Sequence, residues 1–138
     1  MNPDELAREK AAIAELIARY NYAIDHNDYQ GWANTFAPEG VFHGVIGRFV
    51  VHQELDKFIA SVKQLTAASP NLRHYVTNIL PEINGNEARC TSFLLMTSTT
   101  KEGGSTIALA GEYEDRLVKR NGQWFFLERL VRPDGVER

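Results

Sequence analysis

The hydrophobic period of this chain changes once, at Ser69-Pro70-Asn71, and that change restricts the fold more than any other feature. Before it, apolar residues recur every three or four positions, as on a helix face; after it, they alternate, as on strands. Ile13, Leu16, Ile17, Tyr20 and Ile24 form one stripe of a helix predicted over residues 1–27. Asn2 can cap it, Pro3 sits where a missing N–H is tolerated, and Asp4 and Glu5 complement the helix dipole. His26-Asn27-Asp28 ends that stripe. A short helix is predicted from Tyr29 to Phe36, then a turn at Ala37-Pro38-Glu39-Gly40. Short strands follow around Val41 to Val45 and near Phe49, and a third helix from about Val51 to Ala67 carries Leu55, Phe58, Ile59, Val62 and Leu65.

Beyond the break, four long strands are predicted: Leu72–Ile83, Glu87–Thr100, Ser105–Lys119 and Gln123–Arg132. Asn84-Gly85-Asn86, Gly103-Gly104 and Asn121-Gly122 supply the hairpin turns between them. Helices followed by an antiparallel meander is an α+β order. The expected architecture is one domain, residues 1–138, with the N-terminal helices packed on one face of a strongly curved, mostly antiparallel sheet. Long strands curl, and a long helix lying across a curled sheet leaves a conical pocket at its open end.

Composition limits the function. The chain has 138 residues, 24% of them charged, with a net charge of −3. It lacks the basic footprint that nucleic acid or an anionic membrane requires. The single cysteine, Cys90, rules out an intramolecular disulfide and a multi-thiolate metal site within one chain. Cys90 shares an alternation row with Leu94 and Met96 and reads as a small core residue. The N-terminal stretch is amphipathic and acidic, and no apolar run reaches the ~18 residues of a membrane span. A cytoplasmic protein that handles a small molecule fits these facts. The four histidines show no metal-ligand spacing, so neither a metal nor a cofactor is expected.

Alternation then identifies polar residues that face inward. Leu72, Val76 and Leu80 share a face with His74 and Asn78, which sets an imidazole in an apolar row. On the last strand Phe125, Leu127 and Val131 share a face with Arg129, while Trp124, Phe126 and Leu130 form the other row with Glu128. Ile107, Leu109, Tyr113 and Leu117 share a face with Asp115. A buried arginine must be paired or bound to a ligand. A carboxylate, an imidazole, a phenol and a guanidinium in one pocket have the parts for proton abstraction and leaving-group stabilisation. An aspartate on one ring nitrogen of His74 would fix its tautomer and leave the other nitrogen as general base. Asp25 and Tyr20 are five residues apart, about 140° on an ideal helical wheel. They meet in one pocket only if the helix end overhangs its mouth.

These segments, "RYNYAIDHNDYQGWANTFAPEGVF", "LRHYVTN" and "GEYEDRLVKRNGQWFFLERLV", resemble the SnoaL-like branch of the nuclear transport factor 2-like superfamily over roughly Ala7 to Arg132. The resemblance implies an α+β cone that commonly forms homodimers or higher homo-oligomers. Within it, the chain is similar to scytalone dehydratase, bile acid 7-alpha-dehydratase and hexachlorocyclohexane dehydrochlorinase. Asp25 in "AIDHND" and His74 in "RHYVTN" fall where those enzymes carry an Asp–His dyad. Tyr20 matches the tyrosine five residues before the aspartate in the bile acid enzyme, and Arg129 in "FLERLV" matches the last-strand arginine of the dehydrochlorinase. Two positions depart from the scytalone pattern. Ser98 or Thr99 stands where a second histidine is expected, and Gly44 where a tyrosine is expected. In the related ketosteroid isomerases the base is a sheet carboxylate, for which Asp115 is the counterpart to consider.

The resemblance implies a cofactor-independent lyase in which His74, oriented by Asp25, takes a proton from carbon while Tyr20 and Arg129 assist departure of hydroxide or halide. A keto–enol isomerase or polyketide cyclase using the same pocket is the second reading, and a non-catalytic small-molecule binder the third. Trp32, Phe36, Phe58, Asn78, Leu94, Leu109, Tyr113 and Phe125 are the expected substrate-binding residues, around a small hydrophobic cyclic molecule. The apolar row of Trp124 and Phe126 is expected on the outer sheet face, where it would serve dimerisation.

Overall fold

The computed structural model describes residues 1–136 of the chain. Helix α1 spans Pro3–Asp25, α2 Tyr29–Ala33 and α3 Leu55–Ala68. The strands are β1 Phe36–Gly44, β2 Gly47–Val50, β3 Leu72–Asn84, β4 Glu87–Thr100, β5 Gly104–Arg120 and β6 Gln123–Pro133. They form one sheet in the order β2-β1-β6-β5-β4-β3, antiparallel except where β1 runs parallel to β6. The helices pack on one face of this curled sheet, the α+β architecture expected from the change of period. Among the described residues, no helix is long and apolar enough to cross a membrane.

Local chemistry sets the element ends. The Asn2 side chain accepts from the Glu5 N–H at 2.9 Å and its amide donates to the Glu5 carboxylate at 2.8 Å, which caps α1. Asp28 caps α2 by accepting from the Gly31 N–H at 2.9 Å. Asn121-Gly122 turns β5 into β6 with both residues at positive φ, the conformation a tight hairpin needs and these two residues tolerate. The segment Ala37-Pro38-Glu39-Gly40, expected to be a turn, lies inside β1. It is accommodated by a shift of register against β6 between Phe36 and Val41. Pro38 lacks an N–H and a regular ladder would be interrupted there.

Ile13, Leu16, Ile17 and Tyr20 of α1 form the main core with Trp32, Phe36, Phe58, Leu117, Trp124 and Phe126. Trp124 and Phe126 are 3% and 0% exposed, which overturns the expected outer row. An extra residue at Leu127 shifts the β5–β6 register between Arg116 and Leu117. Trp124 and Phe126 therefore face inward above the bulge, and Arg129 and Val131 face inward below it. Phe125 and Leu127 turn away from that core. The outward apolar residues of the long strands include instead Tyr75, Leu80, Phe93, Leu95 and Ile107. Ile107 was expected inward; the shift between Met96 and Thr97 leaves Ala108 unpaired and turns it out.

Cys90 is a buried core residue. Burial and the Asp115 charge push its thiol up to about 12. At pH 8 only about one molecule in ten thousand would carry the thiolate, the form that reacts. Thiol-specific reagents are therefore expected to label native protein only through opening of the structure. A labelling rate in buffer close to that in urea would contradict this placement.

Candidate active site

The open end of the curled sheet holds a cavity of about 350 Å³ between α1, α3 and the inner face of β3, β4 and β5. Its wall is mostly apolar, and among the described residues the ionisable side chains lining it are Asp25, His74, Tyr20 and Tyr113. The sheet edge positions the first two. β3 is an edge strand, so the His74 N–H is available to a group outside the ladder. Asp25, the last residue of α1, takes it: Oδ2 accepts from the His74 backbone N–H at 2.9 Å and Oδ1 pairs with the His74 ring at Nδ1, 2.6 Å away. The side chains are 8% and 11% exposed. One carboxylate thus fixes both the backbone and the ring of its partner. Nδ1 must donate to a carboxylate, which in the neutral ring leaves Nε2 as the acceptor in a residue that lines the cavity.

Tyr20 and Asp25 both line this space despite their separation around the helix. Tyr20 points into the aromatic floor, where its ring is edge-on to His74 at 6.5 Å and to Tyr113 at 6.3 Å. Asp25 reaches the β3 wall from the helix terminus. Burial pushes the pKa of the Tyr20 phenol above the ordinary tyrosine value, with the Arg129 charge opposing it, and pushes that of Tyr113 well above it. Both remain neutral phenols able to donate a hydrogen bond.

The structure sorts the other expected residues. Phe58, Leu94, Leu109 and Tyr113 line the cavity with Tyr20, Asp25 and His74. Trp32 and Phe36 do not; they are buried behind it, and Trp32 stacks on Phe58 at 3.9 Å, holding that ring against the cavity. Asn78 is exposed, because it is the bulge of β3 at φ 55°, where the register shifts between Thr77 and Leu80. Beyond it Ile79 turns inward and Leu80 is 64% exposed, the reverse of the expected row. Phe125 lies outside the cavity lining for the equivalent reason on β6. Arg129 is fully buried but does not line the cavity; its Nε lies 3.2 Å from Asp115 Oδ1, behind the tyrosine rings. Asp115 is likewise out of reach of a ligand, which removes it as a sheet carboxylate base. Burial pushes its carboxyl up to about 6, with Arg129 opposing.

Two departures from the scytalone pattern have structural counterparts. The Ser98 hydroxyl donates to the Pro70 carbonyl at 2.6 Å. At Gly44, a Cβ would lie 2.6 Å from the tip of the Phe42 ring, so Phe42 fills the space there and itself lines the cavity. Phe42, Val62, Leu65, Asn71 and Met96 also line the cavity and are not among the expected substrate-binding residues. Phe58, Val62 and Leu65 carried a signal, since their helical stripe reads as core until the space opposite it is seen to be open.

A family model described as a SnoaL-like domain matches residues 5–130. A protein of unknown function from Mycobacterium tuberculosis, solved with one aspartate changed to asparagine, superposes with a TM-score of 0.85 at 33% identity, covering 99% of this chain and 78% of that one. A candidate scytalone dehydratase from Novosphingobium aromaticivorans gives 0.79 at 25% identity, with 99% and 94% covered. A protein of unknown function with a cystatin-like fold from Nostoc punctiforme gives 0.79 at 26%, with 94% and 93% covered. No match is found among curated proteins.

Proposed function

The chain belongs to the SnoaL-like domain family, and from that premise we propose that it is a cofactor-independent lyase that removes water from a small, neutral, cyclic hydroxy compound. The observation that carries this reading is the double hold of Asp25 on His74, at 2.6 and 2.9 Å, beside an apolar cavity. A carboxylate spent on both the ring and the backbone of one histidine is a costly way to fix an edge strand. It is an economical way to keep one ring nitrogen proton-free and aimed at a ligand. Similarity to a candidate scytalone dehydratase points in the same direction.

In the proposed reaction, His74 Nε2 takes a proton from a carbon made acidic by a neighbouring carbonyl. The C–H electron pair moves toward that carbonyl, and the Asp25 charge stabilises the imidazolium that forms. The electron pair then returns to make the C=C bond as the C–O bond to the leaving hydroxyl breaks. The imidazolium gives its proton to that hydroxyl, which departs as water, and the histidine is restored. Tyr20 donates a hydrogen bond to the oxygen that carries the developing charge.

The test is a panel of neutral cyclic hydroxy-ketones and cyclic alcohols, followed by product mass. Loss of one water from at least one compound is expected. Unchanged mass with a moved double bond would make the protein an isomerase, and binding without conversion would make it a carrier. Leu109→Trp, which fills the cavity, is expected to weaken binding of any converted compound at least about tenfold, since a pocket of this size has little room to spare. Unchanged affinity in that variant would put the ligand elsewhere.

A further inference from the structure

Directly behind the cavity wall lies a charge that the dyad does not explain. Arg129 is fully buried on β6, yet among the described residues neither of its Nη atoms has a hydrogen-bond acceptor, and the contact with Asp115 is close without being aligned as a hydrogen bond. What surrounds the guanidinium is aromatic. Its central carbon lies 3.4 Å from the centre of the Tyr113 ring, 4.3 Å from that of Tyr20 and 4.7 Å from that of Phe126. A buried ion pair of this kind is seldom retained for stability, because well-packed apolar residues of the same volume do as well or better. No lysine or arginine is among the described residues that line the cavity, and Arg129 faces it across the Tyr20 and Tyr113 rings.

A cation against the face of a phenol draws electron density from the ring and lowers the cost of negative charge on its oxygen. The hydroxyl becomes a stronger donor to an anion. Asp115 on β5 and the Cys90 thiol on β4 are the other ionisable groups around the guanidinium; Asp115 acts against the effect on both phenols less strongly than Arg129 promotes it, and on Tyr113 the Tyr20 phenol opposes it as well. The arrangement therefore has a direction, with the positive end toward the tyrosines.

We propose that Tyr113 is a second catalytic hydroxyl, sharing with Tyr20 the substrate oxygen that gains negative charge, and that Arg129, held by Asp115, strengthens both as a positioning residue that never touches substrate. This rests on the lyase reading for its place in a reaction, but its test does not. The probe is para-nitrophenol, whose ionised form is coloured, bound to the protein and titrated with pH. The bound probe is expected to ionise at lower pH in the native protein than in Tyr113→Phe, by about one pH unit, a tenfold change in its ionisation constant. Arg129→Gln is expected to lose a similar amount, while Arg129→Lys, which keeps a cation, retains most of the effect. In a His74→Ala background the same differences persist, so failure of the dyad and failure of this proposal give different results. With a converted substrate in hand, Tyr113→Phe lowers kcat about a hundredfold with little change in KM. If Arg129→Gln does not fold, Tyr113→Phe and Arg129→Lys decide. Equal ionisation midpoints in native protein and Tyr113→Phe, or no binding of the probe, overturn the proposal.

Discussion

Replacing His74 by alanine is expected to lower turnover about 10²- to 10⁴-fold while leaving a folded protein that still binds its ligand. Asp25 keeps its bond to the His74 backbone N–H, because that donor survives the substitution. The stability cost is then one side-chain hydrogen bond, about 1 kcal/mol. Asp25→Asn is the sharper variant. An amide can still accept from the backbone N–H through its oxygen, but its NH₂ group then faces Nδ1 of the ring. His74 must turn Nδ1 into an acceptor and carry its proton on Nε2, where a base needs none. Activity is expected to fall about as far as in His74→Ala, and the double variant to lose little more than either single one, since the two groups act as a unit. The nitrogen NMR shifts of the His74 ring, measured without substrate, report which nitrogen holds the proton. Turnover within twofold of native in either single variant would sink the dyad.

The α+β architecture is readable from one change of period because helix faces and strand faces are both set by local apolar spacing. His74 is also readable, since it precedes any irregularity in its strand. A row that crosses a bulge is not. One extra residue at Asn78, at Leu127 and at Ala108 puts the two parts of each strand out of phase, so a strict period of two is right on one side of the bulge and reversed on the other. The last strand was ambiguous from the outset, because Trp124-Phe125-Phe126-Leu127 is apolar on both faces. Asn78 did carry a hint: asparagine is among the few residues at ease in the left-handed region, and its φ is 55°. The pairing of Asp25 with His74 spans 49 residues and a helix-to-sheet contact. No periodicity reaches that far, and only the family resemblance suggested it. Arg129 is read from the sequence as inward and either paired or bound to a ligand; it is buried against Asp115, and its distance from the cavity depends on how two tyrosines pack in front of it.

Those aromatic layers lead to the largest expected effect on stability. Trp32 is 0% exposed and lies face to face with Phe58, with the rings 8° from parallel. It is tilted against Phe36 at 5.1 Å and Tyr20 at 5.9 Å, and edge-on to Phe42 at 5.7 Å. Short helix α2 has little else to anchor it, since its five residues bury only Trp32 and Ala33. Trp32→Ala removes the indole from a site its neighbours cannot collapse to fill, at a cost of about 3–5 kcal/mol. For a chain of this length the melting temperature is expected to fall by roughly 10–20 °C. Trp32→Phe is expected to cost far less, because a ring remains to stack and the indole N–H that is removed makes no well-aligned hydrogen bond among the described residues. Thermal melts followed by circular dichroism test both, and a fall of less than about 3 °C for alanine would mean that this aromatic stack is not what holds α2 to the sheet. Trp32 does not itself line the cavity. Any loss of ligand affinity in Trp32→Phe would therefore report movement of Phe58 and Tyr20, the lining side chains that it backs.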